Sequence, residues 1–175
     1  MKNFVSITLS DSRSDDPSIT DKSGDVLISF LVSNNLNLYE RILIPDDPSE
    51  LESALEKYVN TDDVSLIVTT GGTGISQRDI TPEITSKFLE KNIPGIPELI
   101  RNSSYEKIKT SILYRGLCGI ANNKIILNLP GSPGGVKDGL SSIIEILPHM
   151  FDPVSYTHLR AHETVLDLVC RLLLE

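Results

Sequence analysis

The sequence predicts an α/β fold, namely a three-layer sandwich with a mostly parallel sheet plus one antiparallel strand. Strand-like and amphipathic helix-like segments alternate along the 175 residues, as they do in doubly wound sheets. The apolar, β-branched run at residues 65–70 is typical of a central parallel strand. A hairpin pattern later in the chain accounts for the antiparallel member.

The first half of the chain contains two strands and two helices. Residues 4–9 and 36–44 read as strands, and residues 25–33 between them read as a helix. The next helix has Asp47 as its N-cap and Pro48 at its first position. Its buried face is predicted from apolar residues at helical spacing: Leu51, Ala54, Leu55, Tyr58 and Val59.

The second half contains three further helices, which are predicted at residues 82–91, 97–109 and 136–147. Thr81 is the expected N-cap of the first of them. Residues 116–120 and 124–129 read as a hairpin whose turn is formed by Asn122 and Asn123.

The composition predicts one globular domain and disfavours several classes of protein. The formal charge of −8 argues against nonspecific nucleic-acid binding, because an acidic surface repels the phosphate backbone. No apolar run approaches the roughly 20 residues that span a bilayer, and the N-terminus lacks the features of a signal peptide. We therefore expect a cytoplasmic protein with no nucleic acid and no membrane among its partners. Two cysteines outside any C-x-x-C spacing predict free thiols.

The domain is expected to comprise residues 1–152, with residues 153–175 as an atypical C-terminal tail. The tail resembles translated adapter sequence that recurs at the ends of unrelated gene models, which favours a non-native origin. His158 and His162 stand four residues apart in it, but no third ligand is placed to complete a metal site.

A glycine-rich loop, T-T-G-G-T-G-I-S-Q-R-D-I-T-P-E at residues 69–83, links the central strand to the following helix. Its glycines allow a sharp turn and a close approach of backbone amides to an anion. The loop has neither the Gly-Lys-Ser/Thr of a Walker A motif nor the G-x-G-x-x-G of Rossmann enzymes. A structural turn alone would explain one or two glycines, but not the whole set of Gly71, Gly72, Thr73, Gly74, Arg78 and Asp79.

Two aspartates, Asp46 and Asp79, lie in loops that leave the carboxyl ends of predicted strands. Such a pair could hold a hard cation such as Mg²⁺ when substrate phosphates supply the remaining oxygen ligands. Solvated surface acids account for the spacing equally well. A second glycine-rich loop at residues 130–135 repeats the strand–loop–helix arrangement. A ligand is therefore expected in the crevice that these loops share.

Two long motifs in this chain resemble those of the MogA/MoaB family of molybdenum cofactor biosynthesis, whose eukaryotic relatives include the G domain of gephyrin. The first motif occupies residues 70–83, and the second, N-L-P-G-S-P, occupies residues 128–133. The resemblance covers residues 2–150. One departure is Tyr114, which stands where family members often have serine, between Leu113 and Arg115.

The resemblance implies a molybdopterin adenylyltransferase. Such enzymes join AMP from ATP to the terminal phosphate of molybdopterin and release pyrophosphate, with Mg²⁺ as cofactor. The resemblance also implies a homotrimer and a molybdenum insertase as partner. Asp46 and Asp79 match the two aspartates required for catalysis and are the expected metal ligands. The residues expected to bind the substrates are Ser10, Asp11, Gly71, Gly72, Thr73, Gly74, Arg78, Pro130, Gly131 and Ser132.

Two other functions are compatible with parts of this pattern. A non-catalytic paralogue of the MoaB type would bind molybdopterin or a nucleotide without transferring AMP, but it would have no use for the metal pair Asp46 and Asp79. A receiver-like signalling domain would explain an acidic α/β chain. It would leave both glycine-rich loops without a function.

Overall fold

The computed structural model describes residues 2–16 and 18–156, and it contains a single six-stranded sheet with the strand order β2-β1-β3-β6-β5-β4. Only β5 runs against its neighbours in this described sheet, since β1, β2, β3 and β6 pair in parallel and β4 is antiparallel to β5. This arrangement confirms the predicted mostly parallel sheet. The strands are β1 (Asn3–Leu9), β2 (Asn37–Ile44), β3 (Leu66–Thr70), β4 (Lys91–Asn92), β5 (Cys118–Ala121) and β6 (Lys124–Leu129).

Helices cover both faces of the sheet, as a three-layer sandwich requires. They are α1 (Asp11–Asp15), α2 (Lys22–Ser33), α3 (Pro48–Val59), α4 (Thr81–Ser86), α5 (Gly95–Tyr105), α6 (Pro133–Ile143) and α7 (Leu147–Tyr156), with a 3₁₀ helix at Lys109–Leu113. One face packs against α2, α5, α6 and α7, and the other packs against α3 and α4. His158, His162 and most of the predicted tail, residues 157–175, lie outside the described residues.

The two cores arise because successive residues of a strand face opposite sides of the sheet. In β1, Phe4 packs into the core beneath α2 and α6, whereas Val5 and Ile7 pack into the core beneath α3. In β3, Leu66 and Val68 share the first core and Ile67 lies in the second. The strands are therefore apolar on both sides, as the sequence indicates for a buried parallel sheet.

Three local predictions are confirmed. Asp47 caps α3, since its Oδ1 accepts hydrogen bonds from the amides of Ser49 (2.9 Å) and Glu50 (3.2 Å). All five apolar residues predicted for the inner face of α3 are buried. Asn122 and Asn123 have φ values of 44° and 59°, which is the geometry of a type I′ hairpin turn.

Several element boundaries differ from the prediction. Thr81 is the first residue of α4 and does not cap it through its side chain. That helix ends at Ser86, and the chain then forms the short strand β4 instead of continuing to residue 91. The helix α6 begins at Pro133, three residues before the predicted start, because the Oγ of Ser132 accepts a hydrogen bond from the amide of Gly135 (3.1 Å).

Within the described part of the chain, none of the helices is long and apolar enough to cross a membrane. Cys118 is a buried free thiol on β5, as predicted, and its burial raises the pKa of the thiol to about 12. A thiol in such surroundings is protonated at neutral pH and packs as a small apolar residue.

Candidate functional site

The first glycine-rich loop leaves β3 through two residues with left-handed backbone. Gly71 has a φ of 105° and Gly72 a φ of 61°. A Cβ atom on Gly71 would overlap the backbone oxygen of Leu9, and one on Gly72 would overlap the hydroxyl of Thr81. Both positions therefore require glycine for conformation and for space.

Thr81 holds this loop in place from the start of α4. Its hydroxyl donates a hydrogen bond to the carbonyl oxygen of Gly71 (2.9 Å), and its amide donates one to that of Gly72 (3.0 Å). The side chain is fully buried. The sequence places a threonine correctly at the helix start, but it gives no indication that the hydroxyl turns back to the loop.

The second glycine-rich loop touches the first. The hydroxyl of Thr70 donates a hydrogen bond to the carbonyl oxygen of Pro130 (2.7 Å). A Cβ atom built on Gly131 would lie 3.2 Å from the Cα of Gly71. The two loops meet because β3 and β6 are parallel neighbours, so that both leave the same edge of the sheet.

A cavity of about 360 Å³ opens between the two loops, α5 and the 3₁₀ helix. The predicted site residues Thr73, Gly74, Pro130, Gly131 and Ser132 all line it. The rest of the wall consists of residues that were not predicted for the site: Ile75, Ile100, Arg101, Ser104, Ile108, Thr110, Ser111, Leu113, Tyr114 and Gly135. A concave site with apolar walls and a few polar groups is typical of a small-molecule pocket.

The predicted acidic residues form a separate cluster beside the first loop. Asp11 and Asp46 exchange hydrogen bonds: the amide of Asp46 donates to Oδ1 of Asp11 (2.9 Å), and the amide of Asp11 donates to Oδ2 of Asp46 (3.2 Å). Arg78 forms an ion pair with Asp11. Ser10 lies next to this cluster, and its amide donates to the carbonyl oxygen of Ile44 (3.0 Å).

Asp46 and Asp79 both lie against the first glycine-rich loop. Oδ1 of Asp46 is 3.4 Å from the position of a Cβ atom on Gly72, and Oδ2 of Asp79 is 2.9 Å from that of one on Gly74. Oδ2 of Asp79 also accepts a hydrogen bond from the amide of Ser76 (2.7 Å). The loop thus borders both the cavity and the carboxylate cluster.

Electrostatics make Asp46 the unusual member of this cluster. Partial burial raises the pKa of its carboxyl group, and the negative charges of Asp11 and Asp79 raise it further, while the hydrogen bond from the amide of Asp11 and the charge of Arg78 only partly offset this rise. Accumulated negative charge of this kind favours a cation. The Asp46 carboxylate therefore lies where a positive ligand would relieve repulsion.

The donor set suits a magnesium ion that is shared with a substrate. No group of three or more His, Cys, Asp or Glu side chains in residues 2–16 and 18–156 could hold a metal by itself. Mg²⁺ in nucleotide sites is commonly held by one or two carboxylates, with phosphates and water filling the other positions. Asp46 and Asp79 can supply these two carboxylates. In each of them, Oδ1 accepts no hydrogen bond from the described residues.

Arg115 supports the loop from outside and was not predicted as a site residue. Its Nε donates a hydrogen bond to the carbonyl oxygen of Gly74 (2.5 Å), and its Nη2 donates one to that of Asp79 (2.8 Å). Its amide donates to the carbonyl oxygen of Thr73 (2.9 Å), and Nη1 pairs with Glu83. The only sequence signal was its place after Leu113 and Tyr114 in a family-like segment.

Comparisons with known proteins find relatives over most of the chain. The family model described as a probable molybdopterin binding domain matches residues 6–149. A protein of Helicobacter pylori named molybdopterin adenylyltransferase is 37% identical over 139 residues, which cover 79% of this chain and 78% of that protein. The Drosophila melanogaster molybdenum cofactor synthesis protein cinnamon is 37% identical over 147 residues, or 83% of this chain, but the match spans only 24% of that protein.

A solved structure extends the similarity to three dimensions. The molybdopterin biosynthesis Mog protein from Mycobacterium ulcerans superposes with a TM-score of 0.82 at 37% identity, covering 88% of this chain and 99% of that one. The family match includes both glycine-rich loops and the aspartates beside them. The chain therefore belongs to the MogA/MoaB family of molybdenum cofactor biosynthesis proteins.

Proposed function

We propose that this protein transfers AMP from ATP to the terminal phosphate of molybdopterin and releases pyrophosphate. One observation carries the proposal: two glycine-rich loops meet to form a cavity, and two carboxylates suited to a metal lie against one of these loops. This combination fits a reaction between two phosphorylated substrates. The name of the Helicobacter pylori relative supports the same activity.

In the proposed reaction, the protein mainly binds the two substrates and orients them. An oxygen of the molybdopterin phosphate forms a bond to the α-phosphorus of ATP, while the bond between that phosphorus and the bridging oxygen of pyrophosphate breaks. A phosphate monoester is already anionic at neutral pH, so no strong general base is needed. Holding the two anions together is therefore the main task, and loop amides and cationic side chains perform it.

Asp46 and Asp79 are the proposed ligands of Mg²⁺. When bound, the ion would neutralise charge on the phosphates of ATP and on the departing pyrophosphate. Arg78 directly precedes Asp79 in the chain, and its positive charge acts on Asp46. It forms an ion pair with Asp11. In our proposal, the nucleotide side of the loop is formed by Ser10, Asp11 and Arg78. The pterin side is formed by Gly71, Gly72, Thr73 and Gly74, together with Pro130, Gly131 and Ser132.

The assembly and cellular setting are part of the same proposal. We expect a cytoplasmic homotrimer that passes adenylated molybdopterin to a molybdenum insertase. The edge strand β2 carries three exposed apolar side chains, Leu38 (39% exposed), Tyr39 (44%) and Leu43 (37%). Their exposure is compatible with burial between subunits.

A pyrophosphate-release assay tests the activity. The purified protein is incubated with molybdopterin, ATP and Mg²⁺, and pyrophosphate is measured over time. Asp46→Asn and Asp79→Asn are each expected to lower the rate at least ~100-fold, because each removes a carboxylate from the phosphate-binding region. Glu52→Gln, which removes an exposed carboxylate that forms an ion pair with Lys87, is the matched control and should retain full activity.

The alternative function is binding without transfer. A non-catalytic paralogue would bind molybdopterin tightly but release no pyrophosphate under any Mg²⁺ concentration. That result would replace the transferase proposal with the binding one. Failure to bind either molybdopterin or ATP would contradict both.

A further inference from the structure

The cavity between the glycine-rich loops has one charged group in its wall. Among the described residues that line it, Arg101 is the only one with a charged side chain. Apolar side chains surround the opening, and Ile75 and Ile108 are 69% and 48% exposed. The cavity therefore offers an apolar surface together with a single positive charge.

Arg101 differs from the other arginines whose side chains the structure describes. Each of the others has a carboxylate partner within the protein: Arg41 pairs with Asp21 and Asp25, Arg78 with Asp11, and Arg115 with Glu83. No such ion pair is formed by Arg101 among the described residues, although its side chain is partly buried. A partly desolvated cation without a counter-ion is unfavourable unless a ligand supplies the negative charge.

The guanidinium group of Arg101 is held at the cavity wall. Its Nη1 donates a hydrogen bond to the carbonyl oxygen of Tyr114 (3.1 Å). The hydroxyl of Ser111 donates one to the carbonyl oxygen of Arg101 (3.1 Å), which fixes the helix α5 against the 3₁₀ helix. A guanidinium group has five N–H donors. The donors not used by Tyr114 can therefore bind a ligand in a fixed orientation.

Hydroxyl groups reinforce the preference for an anion. Ser104, one helical turn after Arg101, and Thr110 and Ser132 also line the cavity. Neither carboxylate of the metal pair does, so nothing in the described wall repels negative charge. Guanidinium groups bind phosphate through paired hydrogen bonds that a lysine cannot reproduce.

The geometry points to Arg101 as the residue that binds the phosphate monoester of the pterin substrate, with the pterin itself against the apolar wall. This assignment rests on the proposed function for the identity of the substrate. Gly74 lines the cavity, and a Cβ atom built on it would lie 2.9 Å from Oδ2 of Asp79. The cavity therefore extends to the loop residue that borders Asp79, one of the carboxylates proposed for the metal.

A pair of fluorescent ligands isolates the contribution of the phosphate. Molybdopterin is oxidised to a stable fluorescent pterin, and half of the preparation is dephosphorylated with a phosphatase. Binding of both forms is titrated against the wild-type protein, Arg101→Gln, Arg101→Lys and the control Lys109→Gln. Lys109 provides a nearby exposed positive charge that does not line the cavity. ATP is titrated separately against each protein.

The wild-type protein and the Lys109→Gln variant should bind the phosphorylated pterin about 10- to 100-fold more tightly than the dephosphorylated form. Arg101→Gln should reduce this ratio to near 1 without changing the affinity for the dephosphorylated form or for ATP. Arg101→Lys should restore only part of the ratio, because it lacks the planar pair of donors. Unchanged melting temperatures would show that the variants fold normally.

Three results would overturn the assignment. They are a wild-type protein that does not prefer the phosphorylated form, an Arg101→Gln variant that keeps the preference, and a variant that loses affinity for ATP instead. The test is separable from the proposed function, since the ratio is measured without turnover. If the ratio depends on Arg101 but no pyrophosphate is released, the binding site stands and the transferase activity fails.

Discussion

Asp46 lies at a position where the fold itself opposes its charge. Burial and the neighbouring carboxylates of Asp11 and Asp79 raise the pKa of Asp46. A raised carboxyl pKa means that ionisation destabilises the folded state relative to the unfolded chain, and this cost is greatest above the folded-state pKa. Residues of this kind are found where a ligand completes the electrostatics.

Replacing Asp46 with asparagine should therefore stabilise the protein while it removes activity. At pH 7 and without Mg²⁺, we expect Asp46→Asn to raise the midpoint of thermal unfolding by about 1–3 °C. The gain should disappear as the pH falls below about 4, where the wild-type carboxyl group is protonated in both folded and unfolded states. Calorimetry across this pH range measures the effect, and a lower midpoint at pH 7 would contradict it.

Arg115 should act as a positioning residue for the first glycine-rich loop. Arg115→Gln removes the hydrogen bonds to the carbonyl oxygens of Gly74 and Asp79, so we expect kcat for pyrophosphate release to fall ~10- to 100-fold. Glu83→Gln is the matched variant, because it breaks the ion pair but leaves those two hydrogen bonds in place.

For Glu83→Gln we expect less than about a threefold change, in line with the small contribution of exposed ion pairs. Equal losses in kcat for the two variants would show that the ion pair, and not the loop contacts, is what matters.

Residues whose role depends on chain neighbours were predictable, and residues whose role depends on distant contacts were not. The sequence identifies Gly71, Gly72 and Gly74 because a strand–loop–helix motif is local. Arg115 contacts a loop about 36 to 41 residues away in the chain, and Arg101 reaches the cavity only through the packing of α5. Without coordinates, Arg101 looks like any exposed arginine, and the family-like segment around Arg115 does not indicate which loop it contacts.

At the scale of secondary structure, the turn after β3 limits which residues the loop can contain. Gly71→Ala should lower the free energy of unfolding by at least about 2 kcal/mol, because the new methyl group meets the backbone of Leu9 and the φ of 105° is strained for alanine. Gly134→Ala is the control, since a Cβ atom there meets nothing within 4 Å.

Gly134→Ala should leave the free energy of unfolding unchanged or raise it by up to about 1 kcal/mol, as expected for alanine in a helix. Urea denaturation of both variants makes the comparison. Similar stabilities for the two would show that the loop relaxes around the added methyl group.

Elements with explicit start signals were predicted well, and elements shaped by packing were not. Asp47 and Pro48 mark the start of α3, and the turn at Asn122 and Asn123 was predicted from its two asparagines. The helix α4 is shorter than its sequence pattern suggests, because residues 91–92 pair with β5 as an edge strand instead. That pairing involves a partner strand nearly 30 residues away, which a local pattern does not reveal.

At the scale of the whole molecule, the domain boundary can be tested by truncation. The family match ends at residue 149, and Leu147 and Phe151 on α7 are buried in the core at 1% and 7% exposure. A chain that ends after Tyr156 should melt within about 2 °C of the full chain and keep its activity. A chain that ends after Ile146 should lose about 3 kcal/mol or more of unfolding free energy, since it lacks both core side chains and uncovers the apolar residues that they pack against.

Differential scanning calorimetry of the two truncated chains, with the pyrophosphate assay as a second readout, checks this boundary. A large loss of stability on removal of residues 157–175 alone would show that the tail is an integral part of the fold. It would also contradict the interpretation of that segment as a non-native addition.

The contact between the two glycine-rich loops has a consequence for how the ligands are taken up. Thr70 is hydrogen-bonded to Pro130, and Gly131 lies against Gly71, so a displacement of one loop must be accommodated by the other. We therefore expect occupancy at the proposed pterin side to change the free energy of nucleotide binding, and by thermodynamic reciprocity the nucleotide should change pterin affinity by the same factor. The two co-substrates are thus expected to bind with heterotropic cooperativity, in addition to any effect of direct contact between their phosphates.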